Sequence, residues 1–287
     1  MNIRFDKMEG CGNDYIYIDG SQCMLSSDAK PDFVRKVSDR HFGIGSDGVI
    51  FINSSEIADF EMEMWNSDGT RAEMCGNGIR CVAKFVFDHK MVSDECAASH
   101  EVDIESMGKI KHIKVTLGDD GMVKLAEVDM GEPILEPSLV SVNSSSSEPV
   151  VNAPIVVDGK EYRMTCVSMG NPHAVVFEDP DTIGLHEIGP KFENHECFPK
   201  RTNTEFVRVI DECNVRMRVW ERGAGETLAC GTGCCATVVA CVLNGKTSRA
   251  IDVHLLGGIV NVRWDEETNH VIMTGPATTV FEGNIEY

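Results

Sequence analysis

Along several stretches of the chain, apolar and polar residues alternate with a period of two, the pattern of a strand with one buried face. Asp59–Trp65 (DFEMEMW), Ile110–Leu117 (IKHIKVTL), Asn214–Trp220 (NVRMRVW) and Asp252–Trp264 all read as strands. Directly after two glycine clusters the period becomes helical. Ile79, Val82, Ala83 and Val86 form one stripe, and Ala236, Val239, Ala240 and Leu243 form another, with Gly245 as its stop. Cys234–Leu243 (CCATVVACVL) is apolar nearly all round, so a helix there must be enclosed. Asn143–Pro149 (NSSSSEP) reads as a polar loop, too short for an interdomain linker.

These patterns occur twice. Met62-Glu63-Met64-Trp65 matches Met217-Arg218-Val219-Trp220, and Cys75-Gly76-Asn77-Gly78 matches Cys230-Gly231-Thr232-Gly233, both at an offset of 155. Upstream, Gly12-Asn13-Asp14-Tyr15 matches Gly170-Asn171-Pro172-His173, and Ser46-Asp47 matches Thr204-Glu205, at an offset of 158. Copies this long are domains rather than solenoid repeats. The expected fold is therefore α/β, with two pseudo-symmetric domains from an internal duplication. Each is expected to be a curled, mostly antiparallel sheet around a central helix, with the active site in the interdomain cleft. The expected division is 1–129 plus 276–287, carrying Cys75, and 130–275, carrying Cys230.

Composition narrows the function. The chain has 287 residues, 42% hydrophobic and 25% charged, which describes a protein able to bury a sizeable core. Its formal charge is −20, a field that repels phosphate backbones and anionic lipids, so neither nucleic acid nor membrane is an expected partner. No apolar run reaches the roughly 18–20 residues of a membrane span, and the start MNIRFDKMEG has no signal core, so a cytoplasmic protein is expected. The twelve Cys include no CxxC pair, which argues against a metal site. Cys81, Cys96, Cys166, Cys213 and Cys241 are assigned to packing.

Cys75 and Cys230 are different. Each stands at the mouth of a helix before Gly-x-Gly, where unpaired N–H groups and about half a positive charge lower a thiol pKa from ~8.5 and cradle a carboxylate. Pseudo-symmetry would set one thiol on each side of the substrate's α-carbon. That is the geometry of a two-base racemase: one thiolate removes the α-proton and the opposite thiol returns one, with no cofactor required. One such Cys is usually structural, but folding gives no reason for a thiol at both equivalent points.

The segments GCGNDYIYID (Gly10–Asp19), RHFGIGSDG (Arg40–Gly48), WNSDGTRAEMCGNGIRC (Trp65–Cys81), VSMGNPHAV (Val167–Val175), RTNTEFV (Arg201–Val207) and WERGAGETLACGTG (Trp220–Gly233) strongly resemble diaminopimelate epimerase. The closing VFEGNIEY is similar too, so the resemblance covers essentially the whole chain. It implies a small amino-acid substrate, with LL- and meso-2,6-diaminoheptanedioate interconverted towards lysine, no cofactor or metal, and a homodimer. It also implies Cys75 and Cys230 as the acid/base pair, with Cys230 accepting and Cys75 donating from LL to meso. Gly76, Asn77, Gly231 and Thr232 match the carboxylate cradle. Asn13, Asn66, Asn171, Asn203 and Arg222, with the Glu221 backbone, match contacts that hold substrate. His173 and Glu221 match positions that tune the thiols. The sequence departs from the family at Cys11, usually Leu, at Gly48, where some members have Gln, and at Phe281, where some have a Tyr used in dimerisation.

The nearest competitor is a racemase of another amino acid, of the proline or histidine type. Asn66, Asn171, Asn203 and Arg222 together favour a substrate with a second amino-acid end, which needs both donors and acceptors. Phenazine-type isomerases share the architecture but lack the paired thiols. A thiol redox protein is the competitor from another class, and the absence of CxxC speaks against it.

Overall fold

The computed structural model describes residues 1–72, 75–144 and 146–287. Glu73 and Met74, inside the Trp65–Cys81 block, and Ser145, inside the Asn143–Pro149 stretch, lie outside the described residues. The chain divides into two compact units, Met1–Val128 with Gly275–Tyr287, and Asp129–Thr274.

The first unit holds strands β1 (Asn2–Gly10), β2 (Asn13–Asp19), β3 (Gly48–Asn53), β4 (Phe60–Asn66), β5 (Glu101–Ser106), β6 (Lys109–Leu117) and β7 (Val123–Asp129), with the chain's last strand, β17 (Thr278–Glu286). They lie in the order β17-β1-β2-β3-β4-β5-β6-β7. Helices α1 (Lys30–Ser38), α2 (Gly76–Asp88) and α3 (Asp94–Ser99) complete it. The second unit holds β8 (Ala153–Val157), β9 (Lys160–Ser168), β10 (Pro172–Val176), β11 (Asn203–Asp211), β12 (Asn214–Glu221), β13 (Gly225–Thr227), β14 (Ala250–His254), β15 (Ile259–Trp264) and β16 (Val271–Pro276). Its helices are α4 (Pro137–Val140), α5 (Leu185–Glu193) and α6 (Gly231–Leu243).

With the short β13 set aside, its order is β8-β9-β10-β11-β12-β14-β15-β16. In both units the successive pairings run antiparallel, antiparallel, parallel, antiparallel, parallel, antiparallel, antiparallel. The duplication read from short motifs therefore extends to every strand pairing.

The strand register moves one of the sequence matches. Tyr15 pairs with Gly48 and His173 with Asn203, while Gly48 pairs with Asn66 and Thr204 with Trp220. An offset of 155 thus already holds at β3 and β11, and the three-residue slip falls in the preceding connection. Gly48 is the counterpart of Asn203, and the matching of Ser46-Asp47 with Thr204-Glu205 is corrected. Similar side chains had aligned across positions that the backbone keeps apart.

Each sheet curls because one helix needs cover on several sides. Helix α6 packs against β9, β10, β11, β14 and β15, and Cys234 through Cys241 are all buried. Helix α2 packs against β1, β2, β5 and β6, and Ile79, Val82, Ala83 and Val86 are fully buried. Its polar residues find partners inside: Lys84 Nζ donates to the Val123 carbonyl (2.8 Å) and pairs with Asp88 (2.6 Å). Among the described residues no helix is long and apolar enough to cross a membrane.

Two further expectations need correction. Asp252–Trp264 is a hairpin rather than one strand, because Gly257-Gly258 interrupts the alternation and Leu255 N–H closes the turn on the Gly258 carbonyl (2.8 Å). Cys213 is exposed and Cys96 half-buried, so neither is a packed core thiol. Cys213 sits at the β11–β12 turn, its N–H held by Asp211 (2.8 Å), where a small residue is placed by the turn and not by the core. Cys81, Cys166 and Cys241 are buried.

Candidate active site

Helices α2 and α6 are both 13 residues long, and each begins immediately after its cysteine. Cys75 and Cys230 are N-caps in extended backbone, with φ/ψ of −128/115 and −122/109. The second glycine of each Cys-Gly-x-Gly sits in close quarters, tighter in the second unit than in the first. A Cβ on Gly78 would stand 3.0 Å from Ile50 Cδ1 and 3.4 Å from Cys75 Cβ. One on Gly233 would stand 2.8 Å from Glu205 Oε1 and 3.3 Å from Cys230 Sγ. Glycine there lets sulfur and carboxylate settle onto the first helical turn.

In the first unit, Cys75 Sγ accepts the Gly78 N–H (3.3 Å), and its S–H donates to Asn13 Oδ1 (3.0 Å). The other end of that amide, Asn13 Nδ2, donates to Asp47 Oδ2 (2.7 Å), which also receives the Asp14 N–H (3.2 Å). Arg40 bridges Asp47 (2.9 Å) and Asp14 (2.6 Å), and the buried Lys7 ammonium donates to Asp14 and to the Gly45 carbonyl. Burial alone would raise the Asp14 carboxyl, but Arg40 and Lys7 overcome it and hold the group below its ordinary value. Gly76 and Asn77 lie buried in the first turn of α2. Asn66 ends β4 and donates to Thr70 Oγ1 (3.1 Å). Opposite it, a Cβ on Gly48 would fall 1.9 Å from the Trp65 carbonyl, which explains glycine there.

In the second unit, the Cys230 sulfur lies 3.6 Å from Thr232 Oγ1, which accepts from Asn171 Nδ2 (3.2 Å). Asn171 Oδ1 faces His173 Nε2 (3.1 Å), and His173 Nδ1 faces Glu205 Oε1 (2.7 Å), with both side chains of that pair fully buried. Gly231 is buried at the start of α6. Asn203 spans two backbones, donating to the Pro172 carbonyl (2.8 Å) and accepting the Arg222 N–H (2.9 Å). The Arg222 side chain is exposed and donates to the Lys200 carbonyl (3.1 Å). Thr227 Oγ1 donates to the Glu221 carboxylate. Contacts within the units thus join Asn13 to Cys75, Asn171 and Thr232 to Cys230, and Asn203 to Arg222.

The expected low-pKa thiolate is not what surrounds Cys230. Burial pushes its thiol well above the ordinary value, with the Glu221 and Glu205 charges adding to the rise. The Thr232 hydroxyl and the Gly233 N–H draw it down by less. A helix N-terminus offers about half a charge, while full desolvation of a thiolate costs more. The Glu221 charge acts in the direction that keeps the proton on the Cys230 sulfur.

Sequence reasoning gave no role to Asp47, Glu205 or Glu193. Asp47 and Glu205 stood in the repeat comparison, but at positions that the strand register shows are not equivalent. Glu193 carried no sequence signal: it binds the Trp220 indole N–H (2.8 Å), the Gly223 N–H (2.9 Å) and Arg201 (2.9 Å), and so fixes the loop carrying Arg222.

The fold has solved relatives. A probable proline racemase from Agrobacterium radiobacter superposes with a TM-score of 0.69 at 13% identity, over 99% of this chain and 93% of that one. A Bacillus anthracis phenazine biosynthesis protein of the PhzF family gives 0.67 at 15%, over all of both chains. Likeness at that level fixes the fold class alone, and sequence makes the finer assignment. The profile of the diaminopimelate epimerase family matches residues 5–136 and 165–280. Proteins named diaminopimelate epimerase from Acetivibrio thermocellus and Leptospira biflexa are 54% and 49% identical, the first over 99% of both chains and the second over 100%. The chain belongs to the diaminopimelate epimerase family.

Proposed function

We propose that the protein interconverts LL- and meso-2,6-diaminoheptanedioate, a step towards lysine, by moving the α-proton between Cys230 and Cys75 without pyridoxal phosphate or metal. The observation that carries the reading is the pair of thiols capping two equivalent buried helices, in a chain about half identical to full-length relatives named for that epimerisation.

From the LL side, Cys230 takes the α-proton as thiolate and Cys75 delivers its S–H proton to the opposite face. Charge then moves from the α-carbon into the substrate carboxylate. There the N–H groups of Gly76, Asn77, Gly231 and Thr232 stabilise it, in a site where preformed donors cost no reorganisation. Substrate binding excludes water and supplies the ammonium and N–H groups that favour a Cys230 thiolate, which burial disfavours in the unliganded protein. Asn13, Asn66, Asn171, Asn203, the Glu221 backbone and Arg222 hold the unreacting amino-acid end, and His173 and Glu221 set the thiols' proton affinities.

The enzyme works as a cytoplasmic homodimer in this reading. None of the twelve cysteines is in a disulfide, in keeping with a reducing compartment. Strand β17 presents exposed Val280 and Phe281, apolar groups suited to a second copy of the chain. Incubation with LL-diaminopimelate and chiral separation of the products tests the function. A mixture of LL and meso isomers is expected; recovery of LL substrate alone, or conversion only of proline or histidine, contradicts it.

A further inference from the structure

The two equivalent asparagines, Asn13 and Asn171, present opposite ends of their amides towards the thiols. Asp47 is an acceptor on Asn13's outer side, so the Asn13 Nδ2 must face it (2.7 Å) and Oδ1 must face Cys75 (3.0 Å). An amide oxygen can only accept, so Cys75 beside it is held with its proton on sulfur. In the second unit the outer partner is the Glu205–His173 pair, which is 0% exposed on both sides. Glu205 Oε1 holds His173 Nδ1 (2.7 Å), and the Asn171 Oδ1 is turned to His173 Nε2 (3.1 Å), where an amide oxygen can only accept. The Asn171 Nδ2 is left to donate to Thr232 Oγ1 (3.2 Å), whose own hydroxyl proton is then available to the Cys230 sulfur at 3.6 Å.

We propose that Asp47 and Glu205 are positioning residues that orient Asn13 and Asn171 in opposite senses, so that Cys75 gives its S–H to an amide oxygen while the Cys230 sulfur is offered the Thr232 hydroxyl proton. The inference rests on the two-thiol reading for its consequence, the direction of proton flow from LL to meso. Its own content is the reactivity of two thiols in the absence of substrate. The acidic residues are not repeat equivalents: Asp47 precedes β3 and Glu205 lies within β11. One duplicated frame thus carries two wirings.

Thiol-resolved alkylation with iodoacetamide across pH, read by peptide mass spectrometry without substrate, tests it. Other titratable groups acting with these thiols include Tyr17 and Cys81 at Cys75, and Glu221 and Glu205 at Cys230, with His173 paired to Glu205. Asp47→Ala releases the Asn13 amide, and Cys75 is expected to alkylate about tenfold faster near neutral pH, equivalent to about one unit in thiol pKa, with Cys230 unchanged. Glu205→Leu and Glu205→Gln lose the same charge, but only glutamine can hold His173, so Cys230 should react several-fold more slowly in the leucine variant. Should that variant not fold, Thr232→Val gives the same slowing at Cys230 with Cys75 unaffected. An unchanged or slower Cys75 in Asp47→Ala overturns the proposal, as does equal Cys230 reactivity in the paired variants. Epimerase activity, measured separately, reports on the two-thiol reading itself.

Discussion

At the scale of single residues, the site depends on what glycine leaves room for. The Gly233 position is occupied from above by the Glu205 carboxylate and the Cys230 sulfur. Gly233→Ala should therefore fold but displace both groups, and a shift of this kind is expected to lower kcat at least tenfold. Steady-state kinetics beside a thermal melt checks it; wild-type kcat would show that the sulfur's seat does not matter. Cys75→Ala and Cys230→Ala remove a positioned acid or base, a loss of roughly 10²–10⁴ in rate. Either variant keeping more than about a tenth of wild-type activity would dismiss that thiol from the reaction. The cysteines and their glycines were legible because the sequence repeats them. The amide orientations were not, because they follow from Asp47, His173 and Glu205, which reach the asparagines only once the strands are in register.

At the scale of elements, the helices at the two sites owe their position to burial rather than to helix propensity. Val239 is fully buried on α6, whereas Val156 on β8 is 57% exposed. Val239→Ala should cost about 2–3 kcal/mol of stability from lost burial and the cavity left behind, while Val156→Ala stays within about 0.5 kcal/mol. Urea denaturation of both variants makes the comparison, and equal effects would mean that α6 is not the enclosed element described. Strands with one wetter face could be read from alternation, as β6 and β12 show, while the alternating sequence of β4 covers a strand buried from Met62 to Trp65. Strands such as β3, buried over Gly48–Ile52, have no alternation to read. The hairpin within 250–264 escaped because two glycines look much like two more residues of a strand until their turn is closed. The corrected three-residue slip has a similar cause: residue likeness aligns side chains, whereas backbone pairing aligns positions.

At the scale of the whole molecule, the many buried thiols make stability sensitive to alkali. Burial pushes Cys81 and Cys241 up to about 12 and raises Cys166 as well. In the unfolded chain these thiols ionise near ~8.5, so above that pH the unfolded state has lost protons that the folded state retains. Stability from these groups is thus complete below ~8.5 and is lost as pH rises towards 12. The loss is about 2 kcal/mol per buried thiol at pH 10. Denaturation midpoints should fall steadily from pH 8 to 10, and Cys241→Ala should flatten the slope; a pH-independent midpoint would contradict the burial of these thiols. Assembly belongs to this scale too. Phe281 is 46% exposed and meets Phe5 edge-on at 6.0 Å. If β17 forms the dimer contact, sedimentation should show a dimer for the native chain and a monomer for Phe281→Asp. A monomeric native chain would remove the dimer from the account.

The claim that one thiol takes the proton and a different thiol returns it is tested most directly by turnover of LL-diaminopimelate in deuterium oxide. On that claim Cys230 carries off the substrate's own proton, while Cys75, already exchanged with solvent, delivers deuterium. Mass spectrometry of the separated isomers in the first turnovers should find meso product bearing one deuterium at its new centre and recovered LL substrate largely unlabelled. Meso product that retains the original proton would contradict the two-thiol account.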